Sequence, residues 1–115
     1  MTAFDLEQLY FLRGEIRMHD KQLKGLEREY EAAHWPEKVQ EVREIIEGQR
    51  RRCVAQLESL ERWLAAVPDD FMREVLTLHY SDDLTWKDAA IKMGGGNKSG
   101  TLRIAASRYL RRESA

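Results

Sequence analysis

The residues best suited to chemistry lie near the end of the chain. Lys98, Arg103, Arg108, Arg111 and Arg112 fall within residues 97–112, a stretch without aspartate or glutamate and therefore of charge +5. Cations at helical spacing suit phosphate oxygens and the edges of bases. The expected helix runs over 98–112. At its start, Lys98, Ser99, Thr101 and Arg103 are the first candidates for base edges or the adjacent phosphates. Ser107, Arg108, Arg111 and Arg112 come later and are candidates for phosphates. Arg103 and Ser107, four apart, share a helical face, as do Arg108, Arg111 and Arg112.

Other chemistry finds little support. His19, His34 and His79 lie on separate segments, and no Cys or His recurs at metal-ligand spacing. No cofactor or metal is implied, and an enzyme is not expected. Cys53 falls at an apolar seam position, which favours an inert buried thiol over a nucleophile. Gly94-Gly95-Gly96-Asn97-Lys98-Ser99-Gly100-Thr101 has the composition of a phosphate loop but not its glycine spacing, and no strand precedes it. A turn before a helix N-terminus could still hold one phosphate of a nucleic acid.

The whole-chain charge points the other way. With 19 basic and 20 acidic residues among 115, the net charge of −1 disfavours nucleic acid. That value is a cancellation. Residues 68–96 carry −3, against +5 over 97–112. No apolar run approaches the ~20 residues of a membrane span. Neither a secretory signal nor a pair of cysteines is visible, so a cytoplasmic location is expected.

The elements that must position the basic stretch are helical. No segment alternates as a half-buried strand does, so the fold is expected to be all-α. Pro36 and Pro68 separate three segments, and Pro36 suits the first turn of a helix. Leu9, Leu12, Ile16, His19, Leu23, Leu26 and Tyr30 recur at 3-4 spacing, a heptad seam. Val39, Val42, Ile46, Cys53, Leu57, Leu60, Leu64 and Val67 form a second stripe that slips by one position between 53 and 57. Residues 1–67 are therefore expected to be an antiparallel, coiled-coil-like helical hairpin folded about Ala32–Pro36. Tyr30 would lie near Val39, Leu23 near Ile46, Ile16 near Cys53 and Leu9 near Leu60. His19 would come level with Gln49 and Arg50, and is expected to meet Gln49 or else to lie at the seam's edge. Such a hairpin leaves apolar surface uncovered, and a homodimer through it is expected. Trp63 is a candidate packing point for the C-terminal helices, and Trp35 is expected to be partly exposed.

Residues 68–115 parse into three helices. Asp69 or Asp70 caps the first, along which Phe71, Val75 and Leu78 recur. Thr85-Trp86-Lys87-Asp88 reads as a capping box, and Ala89 and Ala90 allow a close helix crossing. Asn97 is the expected cap of the last helix, whose stripe is Leu102, Ala105, Ala106, Tyr109 and Leu110. A short helix, a glycine turn and a longer basic helix together have helix-turn-helix logic.

Phe71-Met72-Arg73-Glu74-Val75-Leu76-Thr77-Leu78-His79-Tyr80, followed by Leu84-Thr85-Trp86-Lys87-Asp88-Ala89-Ala90, resembles region 4 of bacterial sigma factors. It resembles still more the small phage and prophage (RinA-like) transcription regulators, and Thr101-Leu102-Arg103 is similar to their "T-V-R". Ala89 stands where that pattern has Ile, and the Gly94–Lys98 turn is two residues longer. The resemblance implies a sequence-specific regulator of transcription that binds double-stranded DNA through the major groove, with RNA polymerase open as a further partner. The alternative is a helical protein-interaction module, binding RNA polymerase for example, without direct DNA contact.

Overall fold

The computed structural model describes residues 1–32 and 36–114, with side chains described for 1–29 and 36–114. Expectations for Tyr30, for His34 and Trp35, and for the joint itself lie outside these. The chain is all-helical, and no strand occurs among the described residues. Two long helices, α1 (Ala3–Ala32) and α2 (Pro36–Ala65), pack together as the expected hairpin. They are followed by α3 (Asp70–Leu76), a π-helical turn (Thr77–Ser81), α4 (Trp86–Met93) and α5 (Ser99–Glu113).

The compact units do not divide at Pro68. One comprises Phe11–Glu58; the other joins Met1–Tyr10 to Ser59–Ala115. The expected division into 1–67 and 68–115 thus places the ends of both long helices differently. The reason is hydrophobic demand. Three short helices bury little surface alone, and Leu6, Leu9, Leu60, Leu64 and Val67 complete the core that Met72, Val75, Leu76, Leu102 and Leu110 begin.

In the hairpin unit, Leu12, His19 and Ile46 are buried, while Ile16, Leu23, Leu26, Val39, Cys53 and Leu57 are half-buried. Two contacts fix the register. Cys53 Sγ donates to Glu15 Oε2 at 3.2 Å, and Arg50 Nε donates to Asp20 Oδ1 at 2.7 Å. Ile16 therefore stands level with Cys53, His19 with Arg50 and Leu23 with Ile46. Burial and the Glu15 carboxylate push the Cys53 thiol up from its ordinary pKa.

This register corrects two expectations. The seam of α2 runs through Ile46, Arg50, Cys53 and Leu57 at unbroken 4-3-4 spacing, so no slip occurs between 53 and 57. Gln49 is exposed and makes no hydrogen bond to the Nδ1 of the buried His19. Arg50 takes the seam position because a long aliphatic stem can lie along apolar surface while its charged head stays outside, here on Asp20. Val42 is displaced from the seam and 45% exposed. His19 is neither at the seam's edge nor satisfied there: it is buried, and its Nδ1 has no hydrogen-bond partner.

Candidate nucleic-acid interface

The unit of residues 1–10 and 59–115 is built so that α3 and α4 both pack on α5. Asp69 caps α3, its Oδ1 accepting from the Met72 amide at 2.9 Å. Met72, Val75 and Leu76 face inward, whereas Phe71, expected in the stripe, is 43% exposed. The frame set by the Asp69 cap points Met72 inward in its place. Arg73 ties this end together, donating to the Val67 carbonyl at 2.8 Å and pairing with Asp70.

The chain then turns through one wide π-helical turn, closed by the Asp82 amide donating to the Thr77 carbonyl at 2.8 Å. Asp83 has a φ of 59°, a left-handed conformation that aspartate tolerates better than most residues. His79 locks the turn. Its Nδ1–H donates to the Leu84 carbonyl at 2.7 Å, and its ring stacks on Trp86 with centroids 3.7 Å apart. Tyr80 meets both rings edge-on. Burial holds His79 below the ordinary imidazole pKa, with the Leu84 carbonyl opposing it. These half-buried aromatics join the turn to the start of α4.

Thr85 caps α4: its Oγ1 accepts from the Asp88 amide at 3.1 Å. Ala89 and Ala90 are buried, the close-packed surface of α4. Gly94, Gly95 and Gly96 all have positive φ and carry the chain over to α5. Asn97 does not cap α5. Its side-chain amide donates back to the Gly94 carbonyl at 2.6 Å, closing the turn on itself. Lys98 is the residue at the helix start, with no side-chain cap.

Leu102, Ala106, Tyr109 and Leu110 are the buried stripe of α5, and Ala105 is half-buried. All eight residues singled out in the sequence, Lys98, Ser99, Thr101, Arg103, Ser107, Arg108, Arg111 and Arg112, are exposed. They do not share one face. At about 100° per residue, Arg108 and Arg111 lie opposite Leu102, Arg103 and Ser107 toward one flank, and Thr101 and Arg112 toward the other. Arg112 sits 6.0 Å from the centroid of the Tyr109 ring. Ser107 and Arg111 border a shallow depression with Thr2, Ala3 and Ser114, and Ser114 Oγ donates to the Met1 carbonyl at 2.6 Å.

Among the described residues, no arginine of α5 pairs with a carboxylate. Glu61, Asp70, Glu74 and Asp82 line, together with Arg73 and Lys92, a separate groove of about 650 Å³ to which α5 contributes nothing. Glu113, one residue beyond the expected end, is the acid of α5. The sequence pattern does not single out Ile104 and Gly100. Both lie on the outer side of α5, a position visible only once Leu102 is known to point inward. No group of three or more metal-ligating side chains occurs among the described residues, and no helix among them is long and apolar enough to cross a membrane. Family models, curated proteins and solved structures contain no match to the chain.

Proposed function

We propose that the chain is a sequence-specific regulator of transcription that binds double-stranded DNA with α5 in the major groove. The observation that carries the reading is the exposed, carboxylate-free set of cations along α5. Lys98, Arg103, Arg108, Arg111 and Arg112 are exposed along a helix anchored by an apolar stripe, and none of the four arginines pairs with a carboxylate among the described residues. Cations free of carboxylates can release counterions from duplex DNA without first breaking an internal pair. Lys98, Ser99, Thr101 and Arg103 would lie nearest the bases, with Ser107, Arg108, Arg111 and Arg112 toward the phosphates.

One basic helix gives few phosphate contacts, so two chains joined through their hairpins, acting at two half-sites about 34–36 Å apart, fit the reading. A phage or prophage regulator acting in the cytoplasm is the setting that the sigma-like motif suggests. The second reading, a protein-interaction module that binds a partner such as RNA polymerase without DNA, is favoured by Ile91 of α4, 70% exposed.

Salt-titrated binding to duplex DNA separates the two. With five cations engaged per chain, log K should fall against log[salt] with a slope of about −4.5 per chain. Arg103→Ala and Arg108→Ala should each weaken binding and make the slope shallower by about 1. A chain that binds no duplex even at low salt is not a DNA-binding regulator.

A further inference from the structure

We propose that Ile104 is a sequence-reading contact of α5, packing against the 5-methyl group of a pyrimidine in the major groove. This rests on the DNA-binding reading and adds the class of base pair that the helix prefers. Ile104 is 46% exposed, on the side of α5 opposite the fully buried Leu102. Its helical neighbours one turn away are Gly100, Thr101, Ser107 and Arg108, all exposed. Gly100 presents bare backbone, with nothing within 4 Å of where a Cβ would stand. The surface around Ile104 is therefore a low apolar centre with hydroxyls and a guanidinium at its rim.

The rim and the centre read different things. Thr101, Ser107 and Arg108 can hydrogen-bond to phosphates or base edges. Ile104 offers neither donor nor acceptor, and buried against an amino or carbonyl edge it would leave that polar group unsatisfied. The complementary feature of a major-groove edge is a methyl, which thymine carries at C5 and 5-methylcytosine carries at the same place. Ile104 lies in the second turn of α5, within the part of a recognition helix closest to the bases.

A known target sequence is not required to test this. The full chain selects duplexes from a random-sequence pool, and the enriched duplex is resynthesised with each dT replaced singly by dU and each dC by 5-methyl-dC. Removing one methyl contact should weaken binding by about fourfold. The wild type should show this loss at one dT in each half-site. If the pair read is instead C·G, 5-methylation of that dC should strengthen binding by a similar factor, and this arm identifies the source of the methyl. Ile104→Ala should lose about fourfold on the unmodified duplex and nothing further on the dU duplex, while Ile91→Ala leaves both affinities unchanged.

Two results overturn the inference while leaving DNA binding intact. In one, no single pyrimidine methyl matters to the wild type. In the other, Ile104→Ala remains as sensitive to dU as the wild type. Failure to enrich or bind any duplex overturns the underlying reading as well, and is distinguished by the absence of complex at any salt. The dU arm alters only the DNA, so it does not depend on how a variant folds.

Discussion

Leu102 and Ile104 lie two residues apart on one helix and should respond to the same truncation in opposite ways. Leu102 has no exposed surface and Ile104 is 46% exposed. Leu102→Ala removes three carbons from a core shared with α3 and α4, and partial relaxation leaves a cavity. The expected loss is about 3–5 kcal/mol. At roughly 2.1 cal/mol/K per residue, unfolding the whole 115-residue chain carries an entropy near 0.24 kcal/mol/K. A loss of about 3 kcal/mol then lowers Tm by about 12 °C, and by more if residues 1–10 and 59–115 melt as their own unit. Ile104→Ala removes an outward side chain and places the better helix former there, so its effect should lie within about 0.5 kcal/mol. Far-UV circular dichroism melts of the two variants and the wild type measure both values. If Ile104→Ala destabilises as much as Leu102→Ala, α5 is rotated from the orientation described, and the outward placement of its basic residues falls with it.

Three further outcomes are expected. Thr85→Ala removes the oxygen that accepts from the Asp88 amide and should cost about 1 kcal/mol by urea denaturation, as should Asp69→Ala at the start of α3. Val42→Lys should be tolerated within about 0.5 kcal/mol, whereas Ile46→Lys should cost several times more in the same assay, because α2 turns Ile46 and not Val42 into the seam. His79 titrates below its ordinary value in the folded chain, so the unfolded chain binds the extra proton first. Its contribution to stability is fully present above about pH 6.5 and is lost as the pH falls through the lowered folded value. His79→Phe should make Tm less sensitive to acid over that range, and an unchanged pH dependence would show that His79 is not the group responsible.

Local chemistry is legible in the sequence wherever one side chain settles the structure. The caps at Asp69 and Thr85, the alanines of α4 and the inward stripe of α5 all follow from residue type and spacing. Sequence and structure part where two local patterns compete. A seam drawn through Gln49 follows the apolar letters, whereas the hairpin accepts the stem of Arg50 to keep its heptads unbroken. Asn97 suits a helix cap equally well as a turn lock, and three positive-φ glycines beside it decide for the turn. The π-helical turn has no sequence signature: the spacing of Phe71, Val75 and Leu78 fits an ordinary α-helix, and the wide turn shows only where His79 bonds to Leu84 and stacks on Trp86. For the candidate interface, the sequence identifies the cations but not how they are distributed around α5, which depends on where Leu102 points.

The partition of α1 and α2 between two units also bears on how the chain assembles. The core of residues 1–10 and 59–115 needs Tyr10 and Ser59 brought together across the 48 residues of Phe11–Glu58. For a flexible loop of that length, closure costs about 3 kcal/mol beyond the length-independent part. Within Phe11–Glu58 the two arms pair locally, which shortens the loop that must close. The paired length is then adjustable. Removing one heptad from each arm, at matched levels, should preserve the seam within Phe11–Glu58, whereas removing a single residue from one arm would shift its stripe out of register with the other.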